Sequence, residues 1–100
     1  MIKHIVMFHL KKGEDKQKKQ HALRTIKESL LSLTQTIDVL ASIEVGINQQ
    51  ESPRSADLVL ITTFKTWQDL EVYRVHPDHQ KVVSVIKSYT ERSVVVDYEL

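Results

Sequence analysis

At 100 residues, with 41% hydrophobic and 27% charged side chains, the sequence has the make-up of one globular domain spanning residues 1–100 around one core. Its 14 basic and 13 acidic side chains leave a net charge of +1, which excludes the electrostatic footprint of a nucleic-acid or anionic-membrane binder. Without cysteine it has no disulfide framework, no thiolate nucleophile and no thiolate-bound metal. The residues after Met1 alternate like a strand rather than forming the apolar core of a signal peptide. No apolar run approaches the roughly 20 residues that span a bilayer, so the expected compartment is the cytoplasm.

Residues 2–10 read as a strand. Ile2, His4, Val6, Phe8 and Leu10 share one face, and Lys3, Ile5, Met7 and His9 the other. The second face is half apolar, unusual for a sheet that meets water. Residues 11–19 are charged and contain Gly13 as a breaker, and Glu14 and Asp15 suit a helix N-terminus. Leu23, Ile26, Leu30, Leu33 and Ile37 then recur at spacings of three and four, predicting a helix over about 15–34 with one apolar stripe. The lysines at 16, 18 and 19 form its solvated face.

A second strand is predicted over 39–48, where Ile43, Val45 and Ile47 alternate with Ser42, Glu44 and Gly46. The polar, proline-containing stretch 49–55 connects it to a third strand over 57–65. There Leu58, Val59, Leu60 and Ile61 are consecutive, so both faces of that strand are expected to be buried. Thr66-Trp67-Gln68-Asp69 has the form of a capping box, which starts a helix near Trp67. Pro77 interrupts this helix, holds His76 extended and opens a new helical turn. Val82, Val83, Ile86 and Tyr89 form the apolar side beyond the break, and a last strand follows over 93–99 with Val94, Val95 and Val96 contiguous.

The order β-α-β-β-α-β is the ferredoxin-like α+β motif, with one four-stranded antiparallel sheet. Its helices can cover one face only. The Ile, Val and Leu of the other face need a partner, and self-pairing of two such sheets gives a closed, symmetric homodimer. Leu60 or Val95 is where a charged substitution is expected to test that pairing.

The five histidines, at 4, 9, 21, 76 and 79, carry the chemistry on offer. His21 falls on the charged side of the first helix and His9 near a strand end, and both read as structural. His4 shares a face with Val6 and Phe8, where a lone histidine is more often a satisfied core residue than a catalyst. Tyr73-Arg74-Val75-His76-Pro77-Asp78-His79 is the densest cluster of functional groups. In the first turn after Pro77, the helix N-terminus disfavours imidazolium, so His79 is expected to be a neutral base. Tyr73 can donate its phenol to a developing oxyanion, which together gives proton abstraction beside a carbonyl. The competing reading has His76 capping the helix and His79 hydrogen-bonding within the turn. His76 and His79 could also hold a metal with Asp57 or Asp78, but HxxH with proline inside is a weak signal. No metal and no cofactor are expected.

These segments, from Ile2-Lys3-His4-Ile5-Val6 through Ile43-Glu44-Val45-Gly46-Ile47-Asn48 and Ala56-Asp57-Leu58-Val59-Leu60 to Tyr73-Arg74-Val75-His76-Pro77-Asp78-His79-Gln80 and Val96-Asp97-Tyr98, resemble the stress-responsive A/B barrel domain (Dabb) family over nearly the whole chain. The resemblance implies a ferredoxin-like protomer and a homodimer whose sheets form a barrel. Most members of that family have no assigned activity, some plant members are stress-induced, and one, a plant polyketide cyclase, performs an aldol closure without a cofactor. On that resemblance Tyr73 and His79 take the catalytic positions, His4 and His76 supporting ones, and a small carbonyl or phenolic compound is the implied ligand. A quinone-forming monooxygenase of the wider superfamily ranks lower, because the His-Pro-x-His pattern belongs to the other branch. The family often has Ile-Pro-Gly before the second strand, where this sequence has Ile37-Asp38-Val39.

Overall fold

The computed structural model describes residues 1–13 and 15–100; Glu14, expected beside Asp15 at a helix start, lies outside the described residues. The chain runs β1 (Ile2–Leu10), α1 (Lys16–Leu31), a 3₁₀ turn (Ser32–Gln35), β2 (Ser42–Ile47), β3 (Leu58–Phe64), α2 (Trp67–Val75), α3 (Pro77–Tyr89) and β4 (Thr90–Glu99). The four strands form one antiparallel sheet in the order β2-β3-β1-β4. This is the ferredoxin-like arrangement. Among the described residues, no helix is long and apolar enough to cross a membrane.

Local chemistry sets the element ends. Asp15 caps α1 by accepting the Lys18 amide at 2.8 Å. The helix closes at Leu31, short of the expected end at 34, where the Ser32 and Thr34 hydroxyls bond back to the Ser29 and Leu31 carbonyls. The 3₁₀ turn that follows still delivers Leu33 to the core, and Ile37 just beyond it is also buried. The second strand starts at Ser42 rather than 39, because Leu40 bonds back to Ile37 and Ala41 is the first residue to reach Thr63. β4 starts three residues earlier than expected, directly on α3, with Thr90 bonded to the Ile86 carbonyl through both its amide and its hydroxyl.

Thr66 caps α2, its hydroxyl accepting the Asp69 amide at 3.1 Å. Replacing Thr66 with Ala is expected to cost about 1 kcal/mol, as for other lost N-caps. In urea this lowers the midpoint with an unchanged slope, and Thr66→Ser restores it; an unchanged midpoint in the Ala variant would refute the cap. At the break, His76 is extended (φ −62°, ψ 135°) and Pro77 is the first residue of α3, as the sequence predicts.

The sheet has two unlike faces. Ile2, Val6, Phe8, Leu58, Leu60 and Phe64 are buried under the helices, where Ile26, Leu30 and Leu33 close the core. On the opposite face, Ile5, Val59 and Ile61 are half-buried, and Met7, Val94 and Val96 are exposed. The third strand is therefore buried on one face only within a single chain. The register also corrects the test positions: Val6 stands opposite both Leu60 and Val95, which places those two residues on the helix side. The open face instead carries the row Ile61, Ile5, Val96 and the row Val59, Met7, Val94.

Candidate functional site

Tyr73 lies on the last turn of α2, three residues after Leu70, and both are buried against the sheet. Its ring packs on Phe64 (centroids 5.0 Å apart) and His79 (4.3 Å), with His4 edge-on at 6.3 Å. Its hydroxyl is buried and has no hydrogen-bond partner. Leaving such a group unpaired costs roughly 1–3 kcal/mol, and among the described residues no other buried side-chain polar atom lacks a partner. Burial pushes the phenol up to about 12, which keeps it a proton donor across the physiological range.

His79 is the third residue of α3. Its Nδ1 lies 3.0 Å from the Arg74 carbonyl, and the Gln80 side-chain Nε2 donates to the same oxygen at 2.9 Å. A carbonyl only accepts, so Nδ1 carries the hydrogen and Nε2 holds the lone pair. The neutral histidine expected from the sequence is the direction seen, but the leading cause differs. Burial lowers the His79 pKa first, opposed by the Arg74 carbonyl and reinforced by the positive potentials of His4, Arg74 and His76.

His4 lies on the helix side of β1, directly opposite Asp97 of β4, and its Nδ1 is hydrogen-bonded to the Asp97 carboxylate. That bond orients the ring and leaves Nε2 free. Arg74 lies 3.6 Å from the other Asp97 oxygen, tying α2 to the edge strand. Asp97 and Arg74 are the functional side chains that the sequence reading did not single out. Asp97 falls in the Val96-Asp97-Tyr98 segment of the family resemblance, but its place on β4, two residues beyond Val95, assigns it no partner until β4 is registered on β1.

Tyr73, His79, His4 and Asp97 line one cavity of about 460 Å³, open along β4. Val6, Phe8, Leu60, Val82, Ile86 and Val95 supply its apolar walls. The arrangement of one confined apolar space with a few convergent polar groups is that of a small-molecule site. His76 is not on the cavity wall. Its Nδ1 accepts the Asp78 amide at 3.1 Å and caps α3, as the competing structural reading expects. Asp57 is committed elsewhere, accepting the Leu10 amide at 2.7 Å and pairing with Lys19 at 3.1 Å. Among the described residues no three His, Asp or Glu side chains group closely enough to hold a metal ion.

The family model of the stress responsive A/B barrel domain matches residues 2–100. No curated protein matches the chain. A dimeric protein of unknown function with a ferredoxin-like fold from Bacteroides fragilis is similar at 30% identity and a TM-score of 0.88, over 99% of this chain and 95% of that one. A Dabb family protein from Mesorhizobium loti aligns at 24% identity and TM-score 0.74, covering 99% and 95% of the two chains. The hydroxynitrile lyase of Passiflora edulis aligns at 14% identity and TM-score 0.81, covering 99% and 92%. The last two show likeness of fold alone. With residues 2–100 matched by the family model, this chain belongs to the stress responsive A/B barrel domain family.

Proposed function

We propose that the protein is a homodimer in which each protomer binds a small, largely apolar carbonyl or phenolic compound between sheet and helices and acts on it by cofactor-free acid–base catalysis. The observation that carries this reading is the buried, unpartnered Tyr73 hydroxyl in a cavity wall shared with His4 and His79. In the proposed step, His79 Nε2 takes a proton from the carbon next to the carbonyl. The C–H electron pair moves toward the carbonyl oxygen, and the Tyr73 hydroxyl donates to the resulting oxyanion. His4, oriented by Asp97, offers a second nitrogen to the bound compound. The apolar walls lower the local polarity and so strengthen each of these contacts. A hydroxynitrile lyase with the same fold is in keeping with small-molecule chemistry on this scaffold. The homodimer draws on the uncovered sheet face and on the dimeric Bacteroides fragilis relative.

A second reading, a non-catalytic dimeric stress-response or ligand-binding protein, is favoured by the His76 cap and the His79–Arg74 bond, which both stabilise the turn. Solvent-deuterium incorporation into a panel of enolisable ketones, followed by NMR, separates the two. Under the first reading kcat/KM rises with pH through an inflection below 6.5, because His79 must be neutral and burial lowers its pKa. No alkaline fall follows until the Tyr73 phenol titrates near 12. An acid limb above 6.5 would remove His79 as the base, and no incorporation into any ketone would favour the second reading.

A further inference from the structure

We infer that the cavity takes an elongated apolar molecule bearing a negatively charged group at the end remote from Tyr73, with Lys87 as its anchor. This rests on the site proposed above and specifies its ligand class. The cavity follows β1 from His4 to Phe8, four residues or about 13 Å at a rise of about 3.3–3.4 Å each. Its titratable groups are divided between the two ends. At the His4 end stand Tyr73, His79 and Asp97; at the Phe8 end, Ser93 lies opposite Phe8 on β4, with Thr90 beyond it and Lys87 one turn back on α3.

The charges at the two ends differ in availability. Arg74 is neutralised by Asp97 at 3.6 Å and Glu71 at 4.0 Å. Lys87 is exposed and, among the described residues, pairs with no carboxylate. Lys87 lines the cavity, and a lysine at an apolar rim ordinarily lays its aliphatic stem along the wall and keeps its ammonium in water. An anionic group placed at the Tyr73 end would face the Asp97 carboxylate and the lone pair of His79. At the other end it meets a free cation and the Ser93 hydroxyl. Between the ends lie Val6, Val82 and Val95, with no polar side chain facing a polar stretch of ligand. The fitting class is a linear amphiphile, with an enolisable carbonyl at one end and a carboxylate at the other.

Decanoate and 1-decanol are the probes, titrated by calorimetry into the intact wild-type protein and the Lys87→Glu variant at low salt. Decanoate is expected to bind wild type and to bind Lys87→Glu roughly fivefold to tenfold more weakly, the scale of one exposed charge pair reversed in sign. Decanol binding should be unchanged between the two, and the decanoate difference should shrink at 1 M salt. Equal loss for both probes, equal affinity of decanoate for both proteins, or no binding of either probe would each overturn the inference. The readout is binding of an unreactive ligand, so it is independent of the chemistry. A Lys87-dependent carboxylate preference without any ketone exchange sinks the catalytic reading alone, and ketone exchange without that preference sinks this inference alone.

Discussion

Replacing Tyr73 by Phe, or His79 by Ala, is expected to lower turnover in the deuterium-exchange assay by about 10²-fold or more, the usual contribution of a positioned acid or base. The two variants should part company in stability. Tyr73→Phe keeps the ring packed on Phe64 and His79 and removes only a buried hydroxyl that has no partner. Deleting an unsatisfied polar group relieves its desolvation cost, so the variant should melt at or above the wild-type temperature while losing activity. His79→Ala instead loses the bond to the Arg74 carbonyl and the ring contact with Tyr73, so it should be destabilised as well as inactive. A Tyr73→Phe protein that is fully active would sink the oxyanion role. One that is inactive but also unfolded would show that the hydroxyl has a structural partner after all.

Stability should also report on His79 through pH. Burial lowers its pKa in the folded protein, so below 6.5 the unfolded chain takes up a proton that the folded chain still refuses. Stability therefore falls as pH drops through the window just below 6.5, and this part of the fall should vanish in His79→Ala.

Val96→Asp is expected to convert the proposed dimer to monomer at micromolar concentration, seen by light scattering after size exclusion. Val96 is 51% exposed in the protomer and stands opposite Ile5 on the open face. An aspartate there costs the isolated chain little. In a face-to-face pairing it would put a carboxylate among apolar side chains with no partner, costing several kcal/mol. Since about 1.4 kcal/mol is tenfold in affinity, the dimer constant should weaken by at least about 10²-fold. Val95→Asp is the control. Val95 is 55% exposed but lines the cavity beside Val6, so this change should leave the dimer intact and impair ligand binding. If Val96→Asp stays dimeric, the open face is not the interface.

The two neighbouring valines show where sequence reading runs out. The run Val94-Val95-Val96 identifies a strand with apolar side chains on both faces, and β4 is that strand. It carries nothing that says which valine faces the helices, because a shift of one residue in pairing inverts every side chain. The same limit holds for Leu58 to Ile61, where the register on β1 puts Leu60 under the helices and Ile61 on the open face. The cluster around Pro77 was more legible, because a proline acts on its own backbone and on the residue before it. The extended His76 and the restart of helix at Pro77 follow from those local constraints.

The element order, the helix break, the apolar stripes and the surplus of apolar residues over what two helical segments can cover are all legible along the chain. These depend on contacts within a turn or on alternation within a strand, and both are local. Tertiary structure alone decided that β4 lies beside β1 with Asp97 against His4, that Tyr73 has no partner for its hydroxyl, and that His76 turns to the backbone instead of the cavity. Those facts depend on strand register and on how far α2 and α3 stand from the sheet. The His4–Asp97 pair is 93 residues apart in sequence, and only register brings its two members together.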